Sequence, residues 1–156
     1  MSKTHALYIA VFEHKGAVLQ GLTREFMRHT GIWEKVDDED ENTFNIYHVQ
    51  GTPGIGLQYR PVRRWKDSRN ETAQLLLLGH LSDIPADRCS VIDNIARSIP
   101  VVASRTWNCQ NWVEELLDAL AAKDIISHTD KNDGIRMMRD AVQLPFTSKT
   151  PRCENP

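Results

Sequence analysis

Chemistry is most strongly suggested at Cys109, which follows Asn108 at the head of the segment Trp107–Ile126. There Cys109, Trp112, Val113, Leu116, Leu117 and Leu120 recur at i, i+3, i+4, i+7, i+8 and i+11, a spacing that predicts an amphipathic helix. Asn108 suits the N-cap and leaves Cys109 in the first turn. A thiol in that position meets unpaired backbone N–H groups and the positive end of the helix dipole, and both favour the thiolate. The same N–H groups can hold an oxyanion, so one turn can supply a nucleophile and part of an oxyanion hole. The plainer alternative is a cysteine that fills core space as a small apolar side chain.

A thiol nucleophile needs a base, usually histidine, held by a further polar group. Six histidines are available. His48 falls mid-strand on a face shared with Phe44 and Ile46, and His5 opens the first strand, so both are candidates; His80 is a third. His14, His29 and His128 read as solvated loop residues. Asn108 and Gln110 flank the thiol and are candidates for orienting the base or donating to an oxyanion. No HExxH or CxxC spacing occurs, so no metal ligands and no cofactor are expected. Arg60, Arg63, Arg64, Lys66 and Arg69 surround Trp65 and can contact phosphate, although such a run is usually a solvated loop. GTPGIG (residues 51–56) matches no phosphate-binding glycine pattern and reads as a turn.

The elements that must position these residues follow from periodicity and punctuation. Thr4–Phe12 alternates as a strand, with His5, Leu7, Ile9 and Val11 on one side and Ala6, Tyr8, Ala10 and Phe12 on the other. Residues 13–43 suggest a short helix near Leu22, Phe26 and Met27, then an acidic loop, VDDEDEN. Phe44–Gln50 and Leu57–Pro61 flank the glycine turn as a hairpin. Residues 60–71 read as a basic loop, and the leucines of Gln74–Leu81 as a central strand covered on both faces. Ile84 and Pro85 open a helix carrying Cys89, Ile92, Ile95, Ala96 and Ile99, and a last helix covers Gly134–Val142. Together these give an α+β domain over residues 1–145, with a mostly antiparallel sheet of about four strands packed on the helix that starts at Cys109. Residues 146–156 form a tail that exposes Cys153.

Composition bounds the function. A chain of 156 residues, 40% hydrophobic and 26% charged, fits one soluble globular domain. Its net charge of −2 argues against nucleic acid as an obligate partner. No apolar run approaches a bilayer span, and the N-terminus lacks signal-peptide features, which points to the cytoplasm. Three cysteines are too few for a disulfide framework.

HALYIAV, NIYHVQG and NCQNWVEELLDAL, in that order, resemble the permuted papain-like thiol superfamily that includes the lecithin:retinol acyltransferase relatives. Its signatures run H-W-x-x-Y-V, a strand ending V-H-x, and N-C-x-x-F-V. The layout is also similar to that of small fungal proteins with a Y-H-V motif and an N-C-x-x-W-V helix, and the likeness spans about residues 4–126. It implies a permuted papain-like fold with Cys109 as nucleophile and His48 as the second-strand histidine. Aligning ALYIAV with the family strand puts Thr4 rather than His5 at the first histidine, so His48 and His5 both stand as candidate bases. The expected activity is cysteine-dependent acyl transfer, to water or an amine, from an ester, thioester, amide or activated aminoacyl group. Two alternatives accompany it. One is a biosynthetic transferase using aminoacyl-tRNA, with Arg60, Arg63 and Arg64 on the phosphates. The other is an inactive papain-like module binding a small molecule or peptide near Trp65, Trp107 and Trp112.

Overall fold

Alternating apolar residues from Thr4 onward make the first strand, and every later strand of the main sheet is built outward from it. The structure is a computed structural model that describes residues 3–14, 28–36, 43–51, 56–66, 73–102 and 107–143. In chain order the strands are β1 (Thr4–His14), β2 (Arg28–Lys35), β3 (Thr43–Tyr47), β4 (Val49–Gln50), β5 (Gln58–Tyr59), β6 (Val62–Lys66) and β7 (Ala73–Pro85). A 3-10 turn at Ala86–Arg88 leads into helix α1 (Cys89–Ser98), followed by α2 (Cys109–Ala122) and α3 (His128–Val142). Five strands form one sheet in the order β6-β3-β2-β1-β7, antiparallel at each neighbouring pair, and β4 with β5 forms a separate two-stranded ladder.

The α+β, antiparallel reading therefore holds, with five strands in the main sheet rather than about four. Four local expectations are corrected. RHTGIWEK, placed in a helix-and-loop region, is β2 at the centre of the sheet; its alternation was obscured by the short side chains of Thr30 and Gly31. The leucine strand β7 lies at an edge beside β1, and Leu75–Leu78 are half-buried rather than enclosed, while Leu81 reaches the core. Within the basic stretch, Val62–Lys66 is an edge strand held by β3 through Phe44↔Trp65 and Ile46↔Val62. The last helix starts at His128, six residues before Gly134, because the Ser127 hydroxyl caps it by accepting from Asp130 N at 2.9 Å. The expected helix near Leu22, most of the acidic loop, the centre of the glycine turn, Arg69 and the tail with Cys153 lie outside the described residues.

The two sheet faces differ. Leu7, Ile9, Val11 and Ile32 pack with Trp112, Leu116, Leu117 and Met138 in the larger core, with α2 against β2 and α3 against β1 and β7. On the other face Ala10, Trp33, Phe44 and Ile46 form a smaller aromatic cluster joined by Tyr8, Phe12 and Trp65. Trp65 packs against Trp33, whereas Trp112 stacks on Tyr59 in the larger core, so Trp65 and Trp112 do not line one pocket. Among the described residues no helix is long and apolar enough to cross a membrane.

Candidate active site around Cys109

The site is built where β3 parts from β2. Their pairing runs from Lys35↔Phe44 to Ile32↔Tyr47, and at His48 the chain leaves β3 to pair as β4 with β5. This leaves the Arg28–Gly31 edge of β2 outside the β3 register. Alternate residues of a strand present their C=O and N–H to the same side, so Arg28 O and Thr30 N emerge together. The Cys109 thiol occupies that gap: Sγ donates to Arg28 O at 3.7 Å.

Helix α2 delivers the sulfur there through a reciprocal cap. Asn108 Oδ1 accepts from Gln110 N at 2.9 Å, and Asn111 Oδ1 accepts from Asn108 N at 2.9 Å. Asn108 therefore holds the helix start, and its amide oxygen is committed to the cap. Burial pushes the Cys109 thiol above its ordinary pKa. The backbone N–H groups of Thr30, Cys109 and Gln110 and the Thr30 hydroxyl act the other way by favouring the thiolate. Thr30 Oγ1 is buried and has no hydrogen-bond partner among the described residues.

Between Arg28 and Thr30 stands His29. Read from sequence as a loop residue, it is in β2, and its Nε2 lies 2.8 Å from His48 Nδ1. The rings meet edge to face at 4.9 Å, and Phe12 packs on His29 at 5.0 Å. Gly31 makes room for the pair, since a Cβ there would come 3.1 Å from His48 Cβ. His48 is only 5% exposed, and its Nε2 has no hydrogen-bond partner among the described residues. Desolvation lowers its pKa to about 4, with a backbone contact to Arg60 acting oppositely, so the ring is neutral near pH 7. Cys109 thus sits on the backbone beside His29, and the His29 ring bonds His48, while Gln110 contributes its backbone N–H to the Asn108 cap. The signal for His29 was the H-x-G-x-W alternation, which becomes readable once residues 28–35 are taken as a strand.

His5 goes elsewhere. Its Nδ1 lies 2.5 Å from Glu34 Oε2 at the other end of β2, where Tyr47 Oη donates to Glu34 Oε1 at 2.6 Å. Cys89 Sγ completes this group, and the ligand atoms of His5, Glu34 and Cys89 lie within 4.8 Å of one another. His80 is exposed and bonded to Asp83 at 2.9 Å. Of the arginines, Arg60 reaches Gln58 at 2.7 Å, Arg63 lies 3.9 Å from Asp93, and Arg64 N donates to Asn45 Oδ1 at 2.9 Å.

Comparison with known proteins gives one match, to a family model described as a family of unknown function (DUF6540), over residues 11–127. That is more than half of the chain, and the chain belongs to this family. No curated protein and no solved structure matches it.

Proposed function

We propose that this member of the DUF6540 family is a cysteine-dependent acyl-transfer enzyme of permuted papain-like fold, with Cys109 as nucleophile and the His29–His48 pair as its base. The observation that carries this reading is the seating of the Cys109 sulfur on the backbone that flanks His29, whose ring is bonded to His48. In the reaction the thiol proton passes to an imidazole of the pair and the thiolate attacks the acyl carbon. The leaving group departs with that proton, giving a thioester. Water or an amine then attacks the thioester, loses its proton to the imidazole and restores the thiol. Backbone N–H groups at the head of α2 face the charge that develops on the acyl oxygen. His5 has no part in this scheme, because its ring is engaged by Glu34 at the far end of β2.

A second reading, an inactive binding module on the same scaffold, is favoured by the burial of Cys109, only 8% exposed, which raises its thiol pKa. The aminoacyl-tRNA variant rests on Arg60, Arg63 and Arg64 alone. Iodoacetamide labelling of each cysteine against pH, read by peptide mass spectrometry, separates the first two. An enzyme shows Cys109 labelling below pH 8 that falls at least tenfold in His29→Ala or His48→Ala and is unchanged in His5→Ala. Labelling of Cys109 only on unfolding sinks the catalytic reading. Salt-dependent retention of tRNA, lost in a triple Arg60/Arg63/Arg64→Ala variant, would bring the nucleic-acid variant forward.

A further inference from the structure

The second cluster, at the Glu34 end of β2, uses none of the groups assigned to acyl transfer. Three separate elements build it. His5 and Leu7 share the helix-covered face of β1, and Glu34 is the direct partner of Leu7 on β2, which puts it diagonal to His5. On the other side His5 pairs with Ile84 of β7; the chain then turns through Pro85 and Ala86–Arg88 and returns Cys89 over the same spot. The surroundings are apolar, with Leu7, Ile84 and Ile92 fully or almost fully buried. Glu34 is 2% exposed and Cys89 6%.

A carboxylate and a thiol side by side in such a place oppose each other's ionisation. A bound divalent cation reverses that opposition. With one thiolate, one carboxylate and one neutral imidazole the site sums to zero charge, the combination a low-dielectric interior tolerates best. The donor set is sulfur, nitrogen and oxygen, which suits zinc-like ions and not the all-oxygen preference of calcium or magnesium.

We propose that His5, Glu34 and Cys89 form a binding site for a divalent transition-metal cation of the zinc type, distinct from the Cys109 site. The supporting groups are in place. Tyr47 Oη and Asn45 Nδ2 both donate to Glu34 Oε1, at 2.6 and 3.4 Å, leaving Oε2 toward His5. The His5 side chain, 18% exposed, gives the ion a way in from solvent. On binding, Cys89 Sγ, which now donates to Pro85 O at 3.6 Å, loses its proton to solvent. The Nδ1 proton that His5 now donates to Glu34 Oε2 leaves to solvent as the ion binds, and the neutral ring then carries its one proton on Nε2 and presents Nδ1 to the ion. With three protein ligands, a water or other small ligand completes a tetrahedral set, the arrangement of open zinc sites.

The test uses the full chain carrying Cys109→Ser and Cys153→Ser, in which Cys89 is the remaining cysteine. Cobalt(II) is titrated under reducing, anaerobic conditions. Binding at the proposed site gives a near-ultraviolet thiolate-to-cobalt band and tetrahedral visible bands that saturate at one equivalent and are displaced by zinc. Cys89→Ser in that background abolishes the thiolate band, and His5→Asn weakens binding at least tenfold. Tyr47→Phe, which leaves the ligands intact, weakens it by roughly 10–100-fold. Circular dichroism verifies that each variant is folded; should Cys89→Ser not fold, His5→Asn and Tyr47→Phe carry the result. A folded background protein without the thiolate band, or a band that survives both Cys89→Ser and His5→Asn, overturns the proposal, and His5–Glu34–Cys89 is then a hydrogen-bonded cluster only. Neither result bears on labelling of Cys109, so the two sites stand or fall separately.

Discussion

At the scale of single residues, the most informative side chain is His48. Its pKa is 6.5 in the ordinary state and falls to about 4 in the fold, where it is desolvated beside His29. The unfolded chain therefore takes up a proton at a higher pH than the folded one. Stability is unaffected by this group above pH 6.5 and falls as pH drops from about 6.5 to about 4, by about 3 kcal/mol in all. Urea unfolding measured across that range in wild type and in His48→Gln gives the check: the variant is expected to show a clearly shallower slope. Glu34 acts in a lower window. Hydrogen bonds from Tyr47 and His5 outweigh its desolvation and hold its carboxyl below 4.5, so its contribution is lost only as pH falls below that value.

At the scale of elements, α2 shows how local sequence serves the site. Asn108 and Asn111 satisfy backbone and cap groups reciprocally at the helix start, and the same turn aims Cys109 at the edge of β2. Asn108→Ala is expected to cost about 1 kcal/mol by denaturant melting and to slow labelling of Cys109, because the first turn frays and its N–H groups no longer converge on the sulfur. Helix α3 meets the sheet through Gly134, where an added Cβ would come within 2.6 Å of Leu81 Cδ1 and 2.9 Å of Ile9 Cδ1. A β-branched residue there overpacks the contact by more than the helix propensity it gains. Gly134→Val should lower stability by about 2 kcal/mol, and a melting midpoint equal to that of wild type would show that α3 can slide away from β1 and β7.

At the scale of the whole molecule, one buried ion pair ties distant parts of the chain. Arg28 Nη2 lies 2.8 Å from Glu13 Oε1, while Arg28 Nη1 donates to Ala141 O at 2.8 Å and Val142 O at 3.1 Å. The group thus joins β1 and β2 to the end of α3, where the carbonyls lack helical partners and the helix dipole is negative. Both charged side chains are fully buried, so removing one partner takes a close counter-charge away from the other. Glu13→Gln is expected to lose about 3–5 kcal/mol, and the double variant Glu13→Leu/Arg28→Met to recover most of that loss. Equilibrium unfolding of the single and double variants measures the difference. β2 also runs from this anchor and the Cys109 site to Glu34, about 20 Å away at strand spacing, so one strand carries both candidate sites.

The sequence by itself determined the local pieces whose patterns are periodic: the alternation of β1, the helix beginning at Cys109 with its Asn108 cap, and the α+β, antiparallel class. Those patterns reflect one face meeting one core, and a period of 2.0 or 3.6 records it directly. Which strand is central was decided only by tertiary packing, because burial on both faces and burial at a half-covered edge leave similar runs of leucine. The meeting of His29 with His48, and of His5 with Glu34 and Cys89, was likewise settled by strand register and by the return of the chain at Pro85. These residues are separated by 19 positions or more within each hydrogen-bonded pair, and no local spacing encodes a contact made across strands. Side-chain chemistry fixed what the groups could do, and the register of β2 decided which of them meet.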